Sequence, residues 1–135
     1  MDLNVRTLEL DDFAILQEWW KAWRWPPITK EMLPLNGLGG LMVYNEDMPI
    51  AAGFLYLTNS KIAWIEYIIS NPKYKKKDRR DSLKLLLNSL EQVAKQQGFT
   101  IVFSIGRNKG LMDLHEELGY TIDKTPSHEI IKKIN

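Results

Sequence analysis

An α/β (α+β) domain built on a mixed sheet is what this sequence predicts, and three observations predict it. Three apolar runs of strand length, Leu38 to Tyr44, Ile50 to Thr58 and Ile62 to Ser70, follow one another across the short polar turns Asn45-Glu46-Asp47 and Asn59-Ser60. Turns this short join antiparallel neighbours. A long helical stripe of Leu83, Leu86, Leu87, Leu90, Val93 and Ala94 comes after Pro72 and stops at Gly98. Phe99 to Ser104 then reads as a buried strand, so that strand, long helix and strand make one right-handed βαβ unit joined to an antiparallel meander.

The remaining elements follow in order. Asn4 to Leu10 alternates, with Val5, Leu8 and Leu10 apolar, and reads as a first strand. Asp11-Asp12 caps a helix whose apolar face is Phe13, Leu16, Trp19, Trp20 and Trp23. Pro26-Pro27 ends it, because proline disfavours helix in the residue before it. Thr29 to Leu33 forms one more short turn. Beyond Ser104, Leu111, Leu114, His115 and Leu118 mark a shorter helix stopped by Gly119, and Tyr120 to Asp123 and His128 to Ile134 read as two final strands around Pro126. The expected architecture is a mixed central sheet of six to seven strands flanked by helices. With no repeat, low-complexity tract or linker, residues 1–135 read as a single domain.

Composition narrows the function classes. With 44% hydrophobic and 26% charged residues the chain can bury a core and stay soluble, and a formal net charge of +1 gives no overall argument for a nucleic-acid or acidic partner. The absence of cysteine removes disulfides, thiolate metal sites and a cysteine nucleophile. Two isolated histidines do not suggest a zinc site, so no metal is expected. Met1-Asp2-Leu3-Asn4 opens no signal peptide, and no apolar stretch approaches the roughly 18 residues of a membrane helix. The expectation is a cytoplasmic protein without a membrane partner.

Two local stretches carry a resemblance. Ile68-Ile69-Ser70-Asn71-Pro72 resembles the end of the fourth strand of the GNAT superfamily of acyl-CoA-dependent N-acyltransferases, with its proline-containing turn. Asn108 followed by Leu118-Gly119-Tyr120 resembles the asparagine, short helix and Leu-Gly-Phe ending of the same family, and Gly98-Phe99 fits after the long helix. The order of elements is similar to that fold over nearly the whole chain. The Trp-rich first helix and the Ser-Asn-Pro turn are also similar to small GNAT-like proteins of bacteriophage genomes.

The resemblance implies acetyl-CoA as cosubstrate, an amine as acceptor, and cofactor contacts from Ile68, Ile69 and Ser70 at the end of the fourth strand. Counted back from Gly98, it places the family's phosphate motif, Arg/Gln-x-x-Gly-x-Gly/Ala, on Asp78-Arg79-Arg80-Asp81-Ser82-Leu83, where both glycines are replaced; counted forward from Pro72, it puts Lys75 at the Arg/Gln position, again without glycines. In the family, small residues let backbone N–H groups at a helix N-terminus meet the pyrophosphate. Here a basic run stands instead: Lys73, Lys75, Lys76, Lys77, Arg79 and Arg80. Of these, Lys76, Lys77, Arg79 and Arg80, together with Ser82, are candidate phosphate ligands. A solvated charged turn explains the same residues, and so does a nucleic-acid-binding adaptor with Tyr74 among the cations. Asp81 reads equally well as a plain helix cap.

For chemistry, the resemblance puts the general base on the fourth strand, where Glu66 stands between Ile65 and Tyr67. Strict alternation would turn Glu66 to solvent instead. The family's tyrosine acid corresponds to His115, seven residues after Asn108, with Tyr120 and Tyr67 as fallback donors. His115 reads also as an ordinary helix histidine. Asn108 is placed to hold the pantetheine arm or to cap the following helix. Trp19, Trp20, Trp23 and Trp25 exceed what one helix face buries; Trp19 and Trp23 are assigned to the core, and Trp20 and Trp25 to the wall of an acceptor pocket or a dimer surface. The fold family further implies a homodimer through its last strands or first helices. The functional expectation is an N-acetyltransferase, and the rival is a GNAT-fold binding or assembly module without catalysis.

Overall fold

A computed structural model describes residues 2–75 and 77–135. Contacts divide the chain into two compact units, Met1–Ile105 and Gly106–Asn135. The first unit runs β1 (Asn4–Thr7), α1 (Asp12–Ala22), two 3₁₀ turns (Lys30–Met32 and Pro34–Gly37), β2 (Gly40–Asn45), β3 (Met48–Leu57), β4 (Ile62–Ser70), α2 (Arg79–Gln96) and β5 (Ile101–Ser104). The strands lie in sequence order, β1-β2-β3-β4-β5. All neighbours are antiparallel except β4 and β5, which run parallel. The meander and the βαβ unit are therefore both present. The resulting sheet is mixed and flanked by helices.

The two sheet faces are covered differently. Leu8, Leu16, Trp19, Trp20, Ile28 and Leu33 form one cluster with Met42, Ala52, Phe54 and Ile69 of the strands. The other face meets α2: a Cβ on Gly53 would lie 3.2 Å from Leu90 Cδ1 and 3.5 Å from Leu86 Cδ2, so glycine there lets the helix settle against β3. Leu86, Leu87, Leu90 and Ala94 of α2 are fully buried, as the stripe requires.

Each helix ends in the same way. The N–H groups of Arg24, Gly98 and Gly119 reach back three residues, and those of Trp25, Phe99 and Tyr120 reach back five. This is the Schellman closure, with its left-handed residue just past the helix. Gly98 at φ 90° and Gly119 at φ 96° fill that position, as expected for glycine. In α1 the same position is Arg24 at φ 62°. Pro26-Pro27 thus follow a helix that has already stopped at Ala22, and the expected proline stop is corrected to a left-handed arginine.

The start of α1 rests on Asp12 rather than on Asp11, whose side chain makes no cap hydrogen bond. Asp12 Oδ2 accepts the Glu9 N–H at 2.7 Å, while the Asp12 N–H donates to the Glu9 carbonyl at 3.0 Å. The Arg6 guanidinium grips the same carboxylate with Nη1 at 2.7 Å and Nη2 at 2.9 Å, so β1 and α1 are tied by a two-point ion pair.

Three expectations on the outer elements are corrected. The sheet has five strands, not six or seven. Tyr120 to Asp123 and His128 to Ile134 form no strand, and Ile130, Ile131 and Ile134 are 94%, 76% and 90% exposed. Alternation alone cannot make a strand without a neighbour to pair with. β5 is an edge strand and half-exposed: Ile101 and Phe103 lie open, with Phe103 against Trp64 at 5.2 Å between ring centroids. The second unit holds α3 (Lys109–Glu117) and an Arg107–Glu129 ion pair. Among the described residues no helix is long and apolar enough to cross a membrane.

Burial pushes the Asp12 carboxyl up, but the Arg6 hydrogen bond, the Glu9 amide and the Arg6 charge together hold it below its ordinary 3.8. A depressed carboxyl contributes stability that is present above its ordinary value and lost as pH falls through the folded value. Asp12→Asn is expected to lower stability by about 2 kcal/mol at neutral pH. The deficit should shrink below about pH 4. Urea unfolding of both proteins across that range checks this, and a deficit independent of pH rejects the ion pair as its source.

Candidate active site

The central feature is a bulge in β4. β3 pairs Ala52 with Ile69 and Phe54 with Glu66, so Tyr67 and Ile68 together stand opposite the single residue Gly53. Tyr67 takes φ 56° to make this possible, a left-handed conformation uncommon for a bulky residue. The extra residue breaks the alternation. Glu66 shares the face of its partner Phe54, and Tyr67 packs against the same cluster that contains Phe54. The Tyr67 N–H donates to Glu66 Oε1 at 3.0 Å. The expectation that alternation turns Glu66 to solvent therefore does not apply: the side chain is half-buried beside the α1 cluster.

The bulge lies where β4 leaves its parallel neighbour. The pairing of β4 with β5 runs from Ile62↔Ile101 to Ile65↔Ser104 and ends there, one residue before Glu66. Beyond it Ile68 and Ile69 bury their side chains, Ile68 toward α2 and Ile69 in the α1 cluster. What this stretch can offer a ligand is backbone.

Aromatic rings gather around Glu66 and Tyr67. Trp25, fixed by the closure of α1, lies 6.4 Å from Tyr67 between ring centroids. Tyr56, opposite Trp64 on β3, donates its hydroxyl to the Met32 carbonyl at 2.8 Å. Burial, with the Tyr67 and Glu66 charges beside it, pushes the Tyr56 phenol well above its ordinary value, so it stays protonated. Trp20 does not join them. It is 2% exposed in the core, edge-on to Phe13 at 5.9 Å. Trp23, assigned to the core, is instead 43% exposed; it is the cap residue just past Ala22, the last residue of α1.

At the start of α2 the glycine-free turn is largely engaged with itself. Helix residues begin at Arg79, with Asp78 as the cap position, not Asp81. The Asp78 carboxylate is buried and both its oxygens accept from the Tyr74 hydroxyl, at 2.7 and 2.9 Å. The Ser82 hydroxyl is buried and donates to the Asp78 carbonyl at 3.0 Å, so this candidate phosphate ligand is turned into the helix. Arg79 directs Nε and Nη2 to Ser70 Oγ at 3.2 and 2.7 Å, and its guanidinium lies 5.4 Å from the centroid of a Trp23 ring. Trp23 Nε1 donates to the Ser70 carbonyl at 2.8 Å. Lys73, Lys75, Lys77 and Arg80 are exposed along the turn; Lys76 lies outside the described residues. The turn fits a phosphate by its charge and not by a backbone cradle.

In the second unit, Asn108 caps α3: its Oδ1 accepts the Leu111 N–H at 2.8 Å. His115 is buried, its Nδ1 lies 2.8 Å from the Leu111 carbonyl, and its ring stands edge-on to Tyr120 at 5.0 Å. A carbonyl only accepts, which assigns the proton to Nδ1. Burial lowers the His115 pKa, against a smaller upward pull from the Leu111 carbonyl, so the ring is neutral near pH 7. A neutral ring with Nδ1–H committed is a poor proton donor.

Sequence reasoning did not single out Tyr56 or the Trp23–Ser70–Arg79 contacts, and treated Tyr67 only as a fallback donor. A bulge without glycine leaves no local signature, and the Tyr56–Met32 and Trp23–Ser70 contacts join residues 24 and 47 positions apart.

No protein-family model matches the sequence, and no curated protein matches it significantly. Solved structures do. An acetyltransferase of Trypanosoma brucei is similar over 99% of this chain and 99% of its own, at 15% identity and a TM-score of 0.63. A GNAT family acetyltransferase from Streptococcus pneumoniae is similar over 99% of this chain and 98% of its own, at 12% identity and a TM-score of 0.65. N-acetylglutamate synthase from Neisseria gonorrhoeae, solved with coenzyme A and N-acetyl-glutamate, matches 86% of this chain and 28% of its own, at 12% identity and a TM-score of 0.67. The chain has the GNAT acetyltransferase fold.

The His115 assignment is checked by proton NMR. Its ring is expected to titrate below the ordinary 6.5. Because burial disfavours the charged ring, His115 contributes a loss of stability as pH falls through 6.5 toward the folded value. A midpoint above 6.5 would instead make it a competent acid.

Proposed function

We propose that this protein transfers an acetyl group from acetyl-CoA to an amine. The observation that carries the reading is the bulge at Tyr67, at the point where β4 parts from β5. It brings Glu66, Tyr67, Trp25 and Tyr56 together on one face and leaves the backbone of Ile68 to Ser70 as the end of the strand. Acetyl-CoA would supply a thioester whose C–S bond breaks as the amine nitrogen forms the new C–N bond. The backbone of Ile68 and Ile69 lines the pantetheine arm, and the cations of the α2 turn face the phosphates. Trp25 and Tyr67 wall the acceptor. Glu66 removes the amine proton, directly or through one water. A thiol with a pKa near the cysteine value of about 8.5 leaves as thiolate and takes its proton from water, so this route does not require His115 as an acid.

Calorimetric titration with acetyl-CoA at moderate salt is the first test. Saturable micromolar binding is expected, and no binding at millimolar cosubstrate rejects the reading. Thiol release across a panel of amines then reports turnover. Glu66→Gln is expected to lower kcat by about 100-fold with acetyl-CoA affinity retained, and turnover equal to wild type removes Glu66 as the base.

One observation favours a second reading, a GNAT-fold binding module without catalysis: both oxygens of Ser70 already have partners within the chain. The same titration separates the two, because a module that has left the chemistry has no need of the thioester.

A further inference from the structure

We propose that Trp23 and Ser70 are positioning residues that hold the Arg79 guanidinium as a side-chain ligand for the phosphate end of the cosubstrate, in place of the glycine cradle this chain lacks. The proposal rests on the acyl-CoA reading above. Its geometry is a closed triangle. Trp23 Nε1 donates to the Ser70 carbonyl, Ser70 Oγ accepts from Nε and Nη2 of Arg79, and Arg79 stacks over the Trp23 ring.

Guanidinium carries five N–H donors and a full charge. Two donors go to one neutral hydroxyl, which leaves the charge uncompensated and three donors for another acceptor. Among the described residues Arg79 has no ion-pair partner. The side chain is half-buried, and its long stem is held at both the stacking face and the Nε edge. Orienting an arginine in advance removes most of the entropy loss that binding would otherwise impose. A planar guanidinium can then meet a phosphate through two parallel hydrogen bonds.

The surroundings agree in sign. Arg79 opens an α-helix of 18 residues, Arg79–Gln96, whose N-terminal end favours anions. Lys73, Lys75, Lys77 and Arg80 are exposed in the same turn. Two carboxylates stand nearby. Asp78 is buried with its oxygens turned onto Tyr74, and Asp81 is exposed one turn-position further on and opposes an anion there. The cations outnumber them. Trp23 explains itself on this account: an indole 43% exposed at the end of α1 is poor use of a core residue and good use of a stacking plate.

The test measures affinity for three probes: CoA, inorganic pyrophosphate, and acetyl-pantetheine, which has the thioester arm without the nucleotide phosphates. Arg79→Lys and Trp23→Leu are each expected to weaken CoA and pyrophosphate by about tenfold or more while leaving acetyl-pantetheine unchanged. Trp23→Phe keeps a ring under the guanidinium and loses only the N–H, and is expected to recover part of that loss. A merely structural role for Trp23 would weaken all three probes alike and would show no recovery in the phenylalanine variant; that result overturns the proposal. So does wild-type affinity for CoA and pyrophosphate in Arg79→Lys. If the wild type binds neither CoA nor acetyl-pantetheine, the acyl-CoA reading fails by itself. Pyrophosphate then decides the clasp: binding that is lost in Arg79→Lys sustains it, and no binding in the wild type overturns it.

Discussion

Two residues of β4 against one of β3 is the constraint on which the rest of this site depends. A regular strand would place Glu66 and Tyr67 on opposite faces. With Tyr67 at φ 56°, both belong to the face of the α1 cluster, and Ile68 and Ile69 resume the alternation beyond it. The residue opposite is Gly53, whose missing side chain admits Leu86 and Leu90. The strain at Tyr67 and the close approach of α2 therefore sit back to back across one point of the sheet. A conformation of this kind costs on the order of 1–2 kcal/mol and persists only where packing on both sides enforces it.

The start of α2 shows how the chain manages charge without glycine. A helix N-terminus attracts negative charge, and here Asp78 supplies it from within, buried and satisfied by Tyr74. Ser82 closes the same turn from below. These contacts tie the helix start to the preceding turn, and they place a carboxylate there without capping a backbone N–H. The Arg79 guanidinium stands at the same helix start, held on Ser70 Oγ and over the Trp23 ring.

Much of this architecture was legible in the sequence, for reasons that particular residues make plain. The β4 run Ile62–Ser70 was read to the residue because an apolar stretch bounded by Asn59-Ser60 and Pro72 has few alternatives. Gly98 and Gly119 marked helix ends because only the left-handed closure explains a glycine there. Arg24 performs the same closure and was invisible, since nothing in its chemistry announces a positive φ. The final strands were over-read for the opposite reason: His128 to Ile134 has the period of a strand, and period does not supply a partner. At the site, Asn108 was legible as the cap of the following helix, whereas the hydrogen bonds of Tyr56 and Trp23 join residues 24 and 47 positions apart. The tryptophans show the limit most directly. The stripe holds Trp19, Trp20 and Trp23 alike and does not choose among them; Trp23 was assigned inside and Trp20 to the pocket, and their exposures are the reverse.

The order of the sheet has a consequence for how the chain finds this structure. Every strand lies beside its neighbour in sequence, so β2, β3 and β4 can close as successive hairpins over short loops, each a microsecond-scale event in isolation. Only the joins from β1 to β2 and from β4 to β5 must span a helix, and these carry the larger loop-closure entropy. Local contacts of this kind favour rapid folding. The hairpin of β3 and β4 holds the bulge, so its short loop can bring the strands together first, while the strained tyrosine is secured only when α1 and α2 pack on either side.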